Sequence, residues 1–402
     1  ASVAEHGIIH MAVENISRLA CDTLEDNRLA SYTEKSTRYQ VLPEGYYHVP
    51  KELQGQPAMA ELYTSACETL FQTYRQMVDG VREYLHTVEP QGTDEKDSAY
   101  NLRLRRQAVD SCRFILPAAT LTNVGVTMNA RSMEHAIRKL LSSELLEEQE
   151  LGEQLKVQGR AITPTLIKYA ECNDYLVVAR QRQRALAPPA EPSPRGSHVE
   201  AHLVRYDPEA EARLVTALLY RFATAPYRQL WERVQGMGPE EREGVITQCL
   251  ERLGPHDAPV REAELVDYTF DLVMDYGAYR EFKRHRMQSY IPQPLTVEHG
   301  YLVPELVVQA KLEQEFSRGI EVAERAFHRL YGFNPHLAPY LVTHAHRRRV
   351  LAKLNLRECY HLFKLRTAPQ AHFSIRAVAD EAFRLARETH PLLFRFIQLR
   401  TG

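Results

Sequence analysis

"ELVDYTFDLVMDYGAYREFKRHR" (264–286) has a counterpart near the start of the chain, "HGIIHMAVENISRLACDTLEDNR" (6–28). Each opens with alternating apolar and polar residues, as in a half-buried strand, and then turns helical. Ser17 in the first and Asp275 in the second are placed to cap the helices, which the pattern carries to Arg28 and Arg286. The spacing from cap to arginine is the same in both. The likeness extends downstream. "GYYHVPKEL" (45–53) answers "GYLVPEL" (300–306), and long helical patterns follow over 57–86 and 308–331. Each half then carries Asn-x-Arg, in "MNARSMEHAIRKLL" (128–141) and "LNLRECYHLFKLR" (354–366). This matches Asn129 with Asn355, Arg131 with Arg357 and His135 with His361. Such a repeat of supersecondary units is an internal duplication, and two near-copies make a pseudo-symmetric pair.

Residues 187–198, "APPAEPSPRGSH", are rich in Pro, Ser and Gly without periodicity, the composition of a linker. The expected division is a first repeat over 1–186, a linker over 187–199 and a second repeat over 200–402. The second repeat has about 60 residues between linker and strand. The first starts almost at its strand, so part of it is expected to precede residue 1.

Composition narrows the function. A chain of 402 residues that is 44% hydrophobic can bury a core in each half. A formal net charge of −2 provides no global field for nucleic acid or an anionic membrane, and neither is expected as a partner. Arginine outnumbers lysine about four to one, and guanidinium is the better fork for phosphates and carboxylates. Cys21, Cys67, Cys112, Cys172, Cys249 and Cys359 are scattered with no CxxC pair, which suits a reduced, cytoplasmic protein. The opening residues lack the basic region and apolar run of a leader. "FILPAATLTNVGVTM" (114–128) is short of the roughly 20 residues of a membrane helix and carries Asn123, so it reads as buried core. "THAHRRR" (343–349) offers a His-x-His pair with no third ligand at suitable spacing. It reads as a basic surface, and no metal is expected.

The two halves differ where polar residues concentrate. "FKRHRMQSYIPQPLT" (282–296) carries Arg284, His285, Arg286 and Ser289, then almost nothing that could hold a polar ligand. Its counterpart "DNRLASYTEKSTRYQ" (26–40) has Asp26 and Asn27 at the first basic positions, followed by Ser31, Glu34, Ser36 and Arg38. They are complementary fragments of one longer pattern.

That pattern resembles the signature of the flavin-dependent thymidylate synthases, R-H-R-x-x-S-x-N-E-x-S-x-R-Y. "SVAEH" (2–6) is similar to the family's S/T-P-F-E-H stretch, whose Glu5-His6 pair reads Arg261-Glu262 in the second half. "CRFILPAATLTNVGVTMNARS" (112–132) is similar to the family's A-R-x-x-L-P... T... N-A-R-S core. "FKLRTAPQAHFSIR" (363–376) is similar to its L-R... A-Q-x-E-I-R end, and the family's glutamine ahead of R-H-R is Glu281 here. The resemblance implies an α+β fold of two fused thymidylate-synthase-complementing-protein-like repeats, helix-rich with short strands, a pseudo-dimer within one chain.

The family's enzymes are homotetramers with each dUMP between two subunits. The resemblance therefore implies a homodimer of this chain forming a pseudo-tetramer. Carried over, dUMP would be held by Arg284 and Arg366 of the second half and by Glu34, Ser36, Arg38 and Arg113 of the first. The flavin would be held by Ser2, Asn129, Arg131, Arg284, His285, Arg286, Asn355, Arg357 and His361. The implied activity is that of an FAD-dependent thymidylate synthase, methylating dUMP to dTMP with methylenetetrahydrofolate and NADPH. Arg366 would be its catalytic group, stabilising negative charge on the uracil. The chemistry is the cofactor's, so Ser36 and Ser289 are not nucleophiles. Two alternatives stand beside this reading: a flavin-dependent methyltransferase acting on another pyrimidine nucleotide, and a non-catalytic relative that binds nucleotide or flavin.

Overall fold

The computed structural model describes residues 2–188 and 200–400; residues 189–199 of the expected linker lie outside the described residues. The described strands are β1 (Ile8–Ser17), β2 (Ala30–Glu34), β3 (Leu121–Asn129), β4 (Glu200–Tyr206), β5 (Asp267–Asp275), β6 (Ser289–Pro292) and β7 (Arg347–Asn355). They form two antiparallel sheets, ordered β1-β3-β2 and β4-β5-β7-β6. Without its edge strand β4, the second order repeats the first, with β5 for β1, β7 for β3 and β6 for β2. The chain is a helix-rich α+β protein built from two repeats. The extra strand belongs to the insertion of the second repeat, with helices Ala210–Tyr220, Tyr227–Gln235 and Pro239–Leu250.

The repeat is legible atom by atom at the junctions where strand becomes helix. Ser17 accepts from Ala20 N to start helix Arg18–Leu24, and Asp275 accepts from Ala278 N to start Tyr276–Phe282. Asn129 accepts from Ser132 N ahead of Ala130–Leu141, and Asn355 from Glu358 N ahead of Leu356–Arg366. These caps share an extended backbone, with ψ from 155° to 164°. Their short side chains then reach an amide left unpaired by the first helical turn. β1 carries one residue more than β5, because its register slips between Val13 and Ile16. Asn15 occupies the bulge at φ 54°, a conformation asparagine tolerates, and donates its N–H to Asn123 Oδ1 at 2.9 Å.

The first helix of each repeat is shorter than its sequence pattern. Instead of running to Arg28 and Arg286, the helices end at Leu24 and Phe282. Asn27 Nδ2 donates to Leu24 O and Gln288 Nε2 to Phe282 O, each at 2.8 Å. A side-chain amide on the last carbonyl competes with another helical turn. Arg28, Arg284 and Arg286 therefore lie on the turns entering β2 and β6.

Packing divides the chain into two compact units, Ala1–Ser193 with Leu295–His346, and Pro194–Pro294 with Arg347–Gly402. This partition differs from the repeats, since residues 295–346 pack with the first. Their helix Glu313–Phe333 lays Phe316, Ile320 and Ala323 into one core with Leu70, Tyr74, Met77 and Val81 of helix Pro57–Val88. The contact is close: a Cβ on Gly80 would meet Leu312 Cδ1 at 2.9 Å. The helical pattern over 308–331 breaks at Lys311, whose φ is 60°, leaving a short helix Glu305–Gln309 before Glu313–Phe333. In the second unit Phe394 gathers the rings of Tyr268, Tyr360, Phe363 and Phe383 at 5.5 to 6.1 Å. No helix among the described residues is long and apolar enough to cross a membrane.

The run "THAHRRR" is not the basic surface its composition suggests. His344, His346 and Arg347 are buried. His344 Nδ1 donates to Leu116 O at 2.8 Å, while His346 Nδ1 accepts from Thr343 N at 3.0 Å. Backbone partners make burial of these imidazoles tolerable.

Helix Leu146–Ile162 starts with two buried carboxylates. Glu147 accepts from Ser17 N and Oγ, each at 2.6 Å, and from the Tyr340 hydroxyl at 2.7 Å. Glu148 accepts from Thr23 Oγ1 at 2.5 Å. Burial pushes the Glu148 carboxyl from 4.5 up to about 7, against the opposing bonds from Ser143 and Thr23. Between these two values the folded chain holds a proton that the unfolded chain has released. Stability from this site is therefore intact at about pH 4.5 and is lost as pH rises through about 7. Glu148→Gln is expected to gain on the parent protein by about 3 kcal/mol between about pH 5 and 8, read by urea titration. An equal effect at both pH values would refute the shift.

Candidate functional site

The turn after β2 carries Ser36 and Arg38. Arg38 clasps Asp110 with two donors, Nε at 3.0 Å and Nη2 at 2.9 Å. Arg113 Nε reaches the same carboxylate at 3.0 Å, one helical turn further along. Two guanidiniums thus meet at one carboxylate, with the Arg38 side chain 32% exposed. Ser36 is exposed, and its Oγ accepts from Arg38 N at 3.2 Å. Guanidinium forks beside a hydroxyl suit a phosphate dianion. Glu34 is placed differently. It forms an ion pair with Arg18 at 2.8 Å, each side chain 5% exposed, and accepts from Thr122 Oγ1 at 3.1 Å. Ser36, Arg38 and Arg113 form one cluster, while Glu34 anchors the end of β2.

In the second unit Arg366 ends helix Leu356–Arg366. Its Nη1 donates to Glu281 Oε2 at 2.9 Å, its Nη2 to Glu281 O at 3.2 Å and its Nε to His285 Nε2 at 3.1 Å. His285 Nδ1 lies 2.9 Å from Glu358 Oε1, and its ring meets His361 edge-on at 5.3 Å. A guanidinium only donates, so His285 Nε2 is the acceptor and Nδ1 carries the proton toward Glu358. Burial lowers the His285 pKa, with Glu358 opposing, and keeps the ring neutral. Burial also holds Arg366 below the ordinary arginine value, again opposed by a carboxylate, Glu281. Arg284 and Arg286 flank the buried His285 as exposed residues.

Among the described residues, two groups of side chains hold metal-ligand atoms within 4.8 Å of one another: His285, Glu358 and His361, and Cys21, Glu25 and Glu34. Arg366 faces His285 in the first, and Arg18 pairs with Glu34 in the second. In each group, then, one member already bonds to a guanidinium.

The remaining candidates sit at the strand–helix junctions. Asn129 and Asn355 use their side-chain oxygens as helix caps. Arg131 pairs with Glu5, in the turn Ser2–Glu5 that also carries Ser2. Arg357 pairs with Glu264 at 2.7 Å, in the turn Arg261–Leu265. Glu264 is thus the counterpart of Glu5, which corrects the match of Glu5-His6 to Arg261-Glu262. Counted back from the caps Ser17 and Asp275, Glu5 falls at Ala263, and the extra residue in β1 moves it one position on, to Glu264. His361 is exposed.

Asp110, Glu281 and Glu358 were not singled out from the sequence as site residues. Asp110 has a faint signal, lying three residues before Arg113 at a helix end. Glu358 follows Asn355 in the Asn-x-x-Glu pattern of a capping box, which suggests a structural role and hides its contact with His285.

Fold and clusters together define an internally duplicated α+β protein whose repeats each open with a capped strand–helix unit. Residues 1–165 and 202–392 both match the family described as thymidylate synthase complementing protein, and the chain belongs to that family. A UPF0159 protein of Chlamydia muridarum is 29% identical over 415 residues, covering 99% of this chain and 78% of its own length. A flavin-dependent thymidylate synthase of Clostridium tetani is 24% identical over 170 residues, 42% of this chain and 65% of that protein. Among solved structures, the UMP/dUMP methylase PolB of Streptomyces cacaoi, bound with 5-Br UMP, aligns with a TM-score of 0.40 at 18% identity. It covers 51% of this chain and 97% of the methylase.

Proposed function

We propose that this chain is a flavin-dependent thymidylate synthase, methylating dUMP to dTMP with methylenetetrahydrofolate as carbon donor and NADPH as reductant. One observation carries the reading: two repeats of a single family retain complementary parts of one signature. The first keeps Ser36, Arg38 and Arg113; the second keeps Arg284, His285 and Arg366. Complementarity in sequence, rather than any distance, supports both sets serving one nucleotide. Arg38, Arg113 and Ser36 would take the phosphate, with Glu34 holding the strand from which they extend. Arg366 spends three of its five N–H donors on Glu281 and His285, leaving donors for a uracil oxygen.

The donor set also fits a flavin dinucleotide. Arg284, Arg286 and His361 are exposed, and cationic or hydrogen-bonding side chains suit its diphosphate. Asn129, Arg131, Asn355 and Arg357 at the strand–helix junctions, Ser2 in the turn before β1 and His285 in the turn entering β6 would complete its surroundings. The flavin would supply the redox chemistry, and the chain would bind and orient the nucleotide. The expected assembly is a homodimer with two flavins.

The test is tritium release from dUMP labelled at carbon 5, with methylenetetrahydrofolate, NADPH and FAD. Release dependent on the folate and two flavins per dimer by absorbance are expected. A flavin-loaded protein without release would favour another pyrimidine nucleotide as substrate. A flavin-free protein that binds nucleotide would favour the non-catalytic alternative.

A further inference from the structure

We propose that Glu358 is a positioning residue: it holds His285 in the Nδ1–H tautomer and so fixes the guanidinium of Arg366. The four groups form one chain of hydrogen bonds, Glu358 to His285 at 2.9 Å, His285 to Arg366 at 3.1 Å and Arg366 to Glu281 at 2.9 Å. Its ends are carboxylates, which accept, and Arg366 can only donate. The imidazole must therefore carry its proton on the side of Glu358. In the opposite tautomer, the one that predominates in free histidine, a ring N–H would point at the Arg366 Nε–H. Two donors facing one another at 3.1 Å would push the guanidinium aside. His285 and Glu358 are each 3% exposed, so water offers little substitute for the carboxylate.

The first repeat provides an internal comparison. At the positions of His285, Glu358, Arg366 and Glu281 it has Asn27, Ser132, Leu140 and Thr23. All four are absent together, and Asn27 instead ties off the carbonyl of Leu24. A carboxylate present only where the histidine and arginine are present belongs with them rather than with the helix cap, which the first repeat builds without it. Asn129 caps Ser132 N as Asn355 caps Glu358 N.

The link from Arg366 to turnover rests on the proposed function; the tautomer does not. The protein is labelled with [15N]histidine and studied without ligand, with His285→Asn, the residue of the first repeat, assigning the resonances. The parent protein is expected to show a pyrrole-type Nδ1 and a pyridine-type Nε2 at His285. Glu358→Ser is expected to shift the population to the Nε2–H form, and Glu358→Gln, which keeps an acceptor oxygen, to restore Nδ1–H. An Nε2–H ring in the parent protein overturns the proposal, as does an unchanged tautomer in Glu358→Ser. In the loaded enzyme, Glu358→Ser should lower kcat by about 10–100-fold with little change in KM for dUMP, and Glu358→Gln should recover most of it. If the tautomers behave as expected but the parent protein does not turn over dUMP, the proposed function fails and the positioning role stands.

Discussion

Arg366→Ala is expected to reduce dUMP turnover by about 10²–10³-fold, the cost of removing a charge-stabilising donor from an active site, while flavin content stays near the parent level. The geometry separates this effect from simple loss of structure. Arg366 is partly accessible, with its side chain 20% exposed, so water can reach Glu281 once the guanidinium is gone. His285 keeps its bond to Glu358 and stays anchored on that side. Arg366→Lys makes the point sharper. An ammonium retains the charge but cannot give one planar fork to Glu281 and a separate donor to His285. Its turnover should fall between those of the parent protein and alanine. Turnover within a few-fold of the parent for Arg366→Ala, measured as tritium release at saturating dUMP, would remove this residue from the reaction.

The duplication was legible because it is written in local rules. Alternation for β1 and β5, the caps Ser17 and Asp275, and the Asn-x-Arg of the second junctions depend on residues only a few positions apart. Helix ends were less legible: a side-chain amide three or six positions on, Asn27 or Gln288, takes the last carbonyl, and the periodicity of the pattern runs past it. Packing partners were not legible at all. Nothing in residues 313–333 says that their apolar face will meet helix Pro57–Val88, because an amphipathic stripe specifies burial without naming its cover. The site divides in the same way. Arg38, Arg113, Arg284 and Arg366 stood out as unusual residues in a repeated frame, whereas Asp110, Glu281 and Glu358 are ordinary carboxylates until folding sets them against those arginines. The burial of Glu34 against Arg18 has the same origin, a contact made by β2 folding back toward the start of the first helix.

Arg38→Ala and Arg284→Ala should each weaken dUMP binding by about 1.5–3 kcal/mol, the range of a hydrogen bond to a charged group. Removing Arg38 takes one guanidinium from that cluster and leaves Asp110 paired with Arg113. Arg284 is exposed on the turn before β6, so its loss should cost little in folding. If both arginines grip one nucleotide, their effects are coupled, and the double variant departs from the sum of the singles. If they serve separate ligands, the losses add. Thr296 is the built-in control, since it occupies the position in the second repeat that Arg38 holds in the first. Its hydroxyl accepts from Glu298 N at 3.3 Å. Thr296→Ala should shift nucleotide affinity by no more than about 0.5 kcal/mol, as for an ordinary surface change. Calorimetric titration of dUMP into the variants decides the matter. Strict additivity of Arg38→Ala with Arg284→Ala would separate the two arginines, and a loss on changing Thr296 would mean that the second repeat's turn also holds a ligand.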